Sequence, residues 1–200
     1  MNVFVLCTGR CGSTTFARAC QHMTNFTSGH ESRTGKVGKD RLAYPDNHIE
    51  ADRRFAFQLG RLDELFGDDG WYVHLTRDAA AMADSWTARF SISPMLQSYR
   101  RGMIGSEAVP RRDSAVEMVE VSEANIRQFL RDKSRVTRVR LEHAEADFRE
   151  FWKWIGAEGS FDQALAEWRV RHNEGAWRPP FLMGVRMTVR RALNAAFPPP

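Results

Sequence analysis

Cysteine is scarce in this 200-residue chain: Cys7, Cys11 and Cys20 are the only three. An odd count without framework spacing excludes a disulfide scaffold and points to a reducing compartment. Cys7 and Cys11 have no further ligand nearby, so no metal site is expected. Long apolar runs are missing too. No stretch approaches the roughly 20 apolar residues of a membrane span. Residues 1–7 are apolar but too few for the core of a signal peptide. A cytoplasmic protein without a membrane span is therefore expected. Lysine is rare as well: Lys36, Lys39, Lys133 and Lys153 are the only lysines among 29 basic residues.

What remains is arginine. The net charge is +4, from 29 basic and 25 acidic residues. Guanidinium forks suit phosphate and sulfate. A basic balance by itself also fits nucleic acid or an anionic membrane, so motifs must decide. With 42% hydrophobic residues the chain can build a core, and one domain over residues 1–200 is expected.

Strand and helix signals alternate. Residues 3–8 form an apolar run ending at Gly9, which reads as a buried parallel strand. Residues 12–22 have helical composition. A short strand is expected at 25–28, and 29–47, rich in Gly, Lys and Arg, reads as a long loop. Leu59, Leu62, Leu65 and Phe66 have helical spacing, and 71–76 is another strand. Helices are expected at 79–90, 115–133, 144–155 and 160–171, with a strand at 136–141 and a basic helix at 183–196. This order predicts a three-layer α/β/α fold on a central parallel sheet of four to five strands, with ligands at the strands' carboxyl ends.

The first strand runs into Thr8-Gly9-Arg10-Cys11-Gly12-Ser13-Thr14-Thr15 and then a helix. Gly9 and Gly12 let the backbone curl against a ligand. The N–H groups of Gly12, Ser13, Thr14 and Thr15 open the helix unpaired and form an anion cradle. Arg10 adds a positive fork. A Walker A loop needs G-x-x-x-x-G-K-S/T. Here Cys7 replaces its first Gly and Ser13 its Lys, which disfavours an ATPase or GTPase. The same residues also suit a plain helix cap. A second strand-to-helix turn has the same form: Thr76-Arg77-Asp78, with Ser85 in the helix that follows. One arginine and one hydroxyl around a phosphate is sensible chemistry.

Together these segments resemble the PAPS-dependent (3′-phosphoadenosine 5′-phosphosulfate) P-loop sulfotransferases, of the small bacterial type. Arg10, Cys11, Gly12, Ser13 and Thr14 match the family's 5′-phosphosulfate loop. Arg77 and Ser85 match its 3′-phosphate motif, with Ala79 where a proline is usual. Val139-Arg140-Leu141-Glu142 is similar to the family's V-R-Y-E segment. Arg171 to Trp177 is a degenerate version of its last cofactor loop. Gly29-His30-Glu31-Ser32-Arg33 resembles a stretch of the tyrosylprotein sulfotransferases in which the second acidic position is the proposed base; by that match it is Glu31, with His30 as immediate competitor.

The resemblance implies sulfuryl transfer from PAPS to a hydroxyl or amine of a small-molecule, carbohydrate or peptide acceptor, without a metal and without nucleic acid. Arg10, Cys11, Gly12, Ser13, Thr14, Thr15, Arg77 and Ser85 would bind the donor, and Glu31, Arg10 and His30 would serve catalysis. His48 and Glu50 are weaker base candidates, and His74 reads as a core histidine. One of six tryptophans is available to stack on adenine. The alternatives are a non-catalytic P-loop protein that binds nucleotide or another anion, and a small-molecule kinase without a standard Walker A loop.

Overall fold

The computed structural model describes residues 1–91, 94–170 and 172. In chain order the elements are β1 (Val3–Leu6), α1 (Ser13–Cys20), β2 (Thr27–His30), β3 (His48–Ala51), α2 (Leu59–Phe66) and β4 (Trp71–Thr76). Then come α3 (Ala79–Ala88), α4 (Pro94–Tyr99), α5 (Arg111–Leu130), β5 (Val136–Arg140), α6 (Ala144–Trp154) and α7 (Phe161–Ala166). The five strands form one parallel sheet in the order β2-β3-β1-β4-β5.

β1 is the centre of that sheet because its Val-Phe-Val-Leu run is apolar on both faces, and all four residues are buried. Val3 and Val5 face one side and pack into a core with Phe16 and Ala17 of α1 and Phe148, Phe151 and Trp152 of α6. Phe4 and Leu6 face the other, with Leu62 of α2, Tyr72 of β4 and Ile126 of α5. Strand alternation thus sends successive side chains into two different helical layers.

The expected loop at 29–47 is shortened at its start, and an unexpected strand follows its end. β2 runs to His30, and β3 follows at once after Asn47. β3 is His-Ile-Glu-Ala, and all four positions are buried. Its polar side chains are satisfied in place: His48 Nε2 lies 3.0 Å from Glu50 Oε2, His48 Nδ1 lies 2.8 Å from the Thr27 hydroxyl, and Glu50 accepts from Ser32 N and Oγ at 2.6 Å each. Such a network is the condition for burying polar groups in a sheet. It also gives His48 and Glu50 a structural role in place of the expected one as spare bases. His74 bonds Glu123 at 3.0 Å, as a satisfied core histidine should. The segments expected at 171–177 and 183–196 lie, apart from His172, outside the described residues. Among the described residues no helix is long and apolar enough to cross a membrane.

Candidate functional site

β1 ends in a turn that only glycine tolerates at two points. Gly9 has φ +79°, and a Cβ there would stand 2.8 Å from the Trp86 ring and 2.9 Å from Arg53 Cδ. Gly12 has φ +90°, and its Cβ would meet Leu141 Cδ1 at 2.9 Å. Arg10 between them also takes a positive φ, 64°. The loop therefore curls tightly under neighbouring side chains before α1 begins. No side chain caps α1 and no acidic residue occupies its first turn, so its N–H groups and positive dipole end face outward.

These groups form one wall of a cavity of about 800 Å³ at the carboxyl edge of the sheet. Ser13, Thr14 and Thr15 line it together with Arg10, Arg53, Arg77 and Arg89; no Asp or Glu does so among the described residues. Burial, then the charges of Arg89 and Arg77, bring the Arg10 pKa down to about 10, which leaves it protonated at neutral pH. Four guanidinium groups line it with no carboxylate in the wall, and although Arg53 is ion-paired to Glu31 behind it, the balance at the wall is positive and attracts anions.

The two sequence motifs meet here. Arg77 Nη1 donates to the Arg10 carbonyl at 3.1 Å, and Arg10 Nε donates to the Ser85 hydroxyl at 3.0 Å. Arg10 and Arg77 line the cavity, whereas Ser85 stands behind Arg10. Cys11 turns inward, fully buried, and shares a hydrogen bond with Cys7; it contributes to the loop's backbone rather than to the wall.

The two base candidates diverge. His30, at the end of β2, lines the cavity, and its Nε2 lies 3.1 Å from Ser13 Oγ and 3.3 Å from Thr14 Oγ1. Burial is the main cause that lowers its pKa, so the ring is neutral at pH 7. Glu31 is not in the wall. It has φ 52° and is ion-paired to Arg53 and to Arg54 Nη1, the latter at 2.7 Å. Burial pulls its pKa up, but the hydrogen bond from Arg54 and the charges of Arg53, Arg54 and His30 outweigh this and leave it below the ordinary carboxylate value.

Arg53 and Arg89 were not singled out by either motif. Arg53 follows β3 as Arg77 follows β4, at a strand's carboxyl end, and the unrecognised strand hid it. Arg89 sits just past α3 with no motif around it. Trp86 and Trp168 are the tryptophans in the cavity wall, and the indole N–H of each is buried without a hydrogen-bond partner. Trp168, half-buried, offers an apolar face beside the loop, whereas Trp86 is 2% exposed and carries the Arg53 guanidinium over its ring at 5.7 Å.

The fold is a three-layer α/β fold on a parallel five-stranded sheet, and it is shared with a solved sulfotransferase domain. The chain matches the solved structure of a sulfotransferase domain from the curacin biosynthetic pathway with a TM-score of 0.63, over 82% of this chain and 75% of that one. The two are 13% identical, a level at which likeness concerns the fold alone. No family model matches the chain, and no curated protein matches it in sequence. Among the described residues no group of His, Cys, Asp or Glu is placed to hold a metal ion.

Proposed function

We propose that this protein transfers a sulfuryl group from PAPS to a hydroxyl or amine acceptor. The observation that carries the reading is the cavity itself: four arginines, three hydroxyl residues and an uncapped helix start, with no carboxylate in the wall among the described residues. A donor with separate 5′- and 3′-anionic groups needs two anchoring points. Arg10 with the loop N–H groups supplies one, and Arg77 supplies the other.

In the proposed reaction the acceptor oxygen or nitrogen forms a bond to sulfur while the bond from sulfur to the 5′-phosphate oxygen breaks. The products are the sulfated acceptor and 3′-phosphoadenosine 5′-phosphate (PAP). The acceptor proton passes to His30 Nε2, which is neutral, in the wall and beside the Ser13 hydroxyl. Glu31 holds Arg53 against the cavity rather than taking the proton. The guanidinium groups and loop N–H groups stabilise negative charge as it moves onto the leaving phosphate.

PAP release from PAPS, followed across a panel of hydroxyl and amine acceptors, tests this. Release that depends on acceptor and on Arg10 supports it. Release at the same rate in wild type and Arg10→Ala with every acceptor counts against it.

A further inference from the structure

A second cavity, of about 400 Å³, opens beside the first and is lined by Phe90, Gln97, Arg100, Arg101, Glu107 and Arg111. The two cavities share the end of α3: Arg89 lines the first and Phe90, the next residue, lines the second. We infer that this second cavity is a binding site for the phosphate group of a small phosphate monoester, distinct from the nucleotide cavity.

The arginines are disposed for an anion. Arg100 is buried, yet no carboxylate pairs with it among the described residues. Its guanidinium donates instead to the Ser114 hydroxyl at 3.2 Å and to the carbonyls of Glu107 and Val109 at 2.5 and 2.6 Å. Arg111 lies over the Phe90 ring at 4.2 Å, and Arg100 lies over the same ring at 5.3 Å. Arg111 too has no ion-pair partner among the described residues, and it opens α5, whose N-terminus has no side-chain cap although Asp113 stands in its first turn. Glu107 pairs with Arg101 at 2.6 Å and also feels the charge of Arg100, so it offsets one of the three positive charges.

Arg100 also ties the segment before α5 in place, which accounts for its burial. It does not account for a second, unmatched guanidinium on the same ring. The ring's negative face holds each guanidinium, and an anion between the two offsets their mutual repulsion further. Three arginines against one glutamate leave an excess of two positive charges in the lining. A phosphate monoester, close to a dianion at neutral pH, matches that excess, whereas a carboxylate matches half of it. The volume is roughly that of a dozen waters, more than a bare phosphate needs, and leaves room for a small organic portion.

The inference does not depend on what occupies the first cavity. Its test is calorimetry in phosphate-free and sulfate-free buffer, with inorganic phosphate, glycerol 3-phosphate and acetate as probes. Wild type and Arg10→Ala, the latter impaired in the first cavity, should bind glycerol 3-phosphate at this site with equal affinity. Inorganic phosphate should bind there more weakly and acetate weakest. Arg111→Glu should lose at least about tenfold in affinity, the scale of one charge-assisted hydrogen bond. Arg112→Ala, an exposed neighbour paired to Asp84, should lose nothing. Arg111 is exposed, so its variant should fold; Arg101→Ala, also at an exposed position, repeats the test if it does not. Binding lost in Arg10→Ala but kept in Arg111→Glu places all phosphate in the first cavity and overturns the inference. So does the absence of any phosphate binding by wild type.

Discussion

His30 Nε2 stands 3.1 Å from the Ser13 hydroxyl, although β3 lies between β2, which ends at His30, and β1, whose loop leads to Ser13. That contact joins the end of β2 to the anion loop, and it separates His30 from its neighbour Glu31, which turns to Arg53 and Arg54. His30→Gln should therefore keep PAP binding and slow transfer by about 10²–10⁴-fold, the usual contribution of a general base. Glu31→Gln should act mainly on donor affinity, through Arg53. Titrations with PAP beside PAP-release rates separate the two. Equal rate losses with intact PAP binding in Glu31→Gln would move the base to Glu31.

The lowered pKa of His30 has a pH signature. Burial disfavours its charged form, so the unfolded chain binds the proton more readily than the fold does. Stability should then fall as pH drops from about 6.5, the ordinary histidine value, through the lower folded value, and level off below it. Bound PAP adds negative charge and should raise the His30 pKa. By linkage, PAP should bind more tightly as pH falls through that range. A histidine-resolved NMR titration with and without PAP measures both shifts; a His30 pKa unmoved by PAP would place the ligand elsewhere.

Arg77 and Arg10 should fail in different ways. Arg77→Ala should weaken the preference for a 3′-phosphate by about 1.5–3 kcal/mol, the scale of a charged hydrogen bond. Arg10→Ala should weaken PAPS and PAP alike, because its guanidinium lies at the loop, held by Ser85. Binding of PAP and AMP to both variants checks this. A wild-type ratio of PAP to AMP affinity in Arg77→Ala would remove Arg77 from the 3′-phosphate site.

Much of this arrangement is legible in the sequence. The Val-Phe-Val-Leu strand, the glycines of the loop and the Thr76-Arg77 turn each carry a local signal, and the sheet brings them to one edge. β3 carries none: His48 and Glu50 interrupt the apolar pattern, and their burial depends on Thr27 and Ser32, distant in sequence. Without a strand signal before it, Arg53 carries no motif of its own. The choice between His30 and Glu31 was equally out of reach, because it turns on Glu31's positive φ and on two arginines more than twenty positions away. Trp86 and Trp168 reach the cavity by packing, which no local pattern announces.

Gly12→Ala should destabilise the fold by about 1–3 kcal/mol, since φ +90° is strained for any residue with a Cβ and the added carbon meets Leu141 at 2.9 Å. Urea unfolding measures the loss. PAP affinity should fall with it, because the loop N–H groups move with the backbone. Wild-type stability in this variant would show that the loop is not held in the positive-φ form.

The most direct test of the two-anchor cavity is calorimetry with PAP, AMP and ATP on the wild-type protein. PAP should bind most tightly and give the largest thermal stabilisation, about 2.7 kcal/mol at a hundredfold excess over its Kd. AMP lacks the 3′-phosphate that Arg77 is assigned to hold, and ATP carries its extra charge at the other end. PAP binding well above both is the result expected of a PAPS-dependent sulfotransferase. Equal affinity for all three would contradict that assignment.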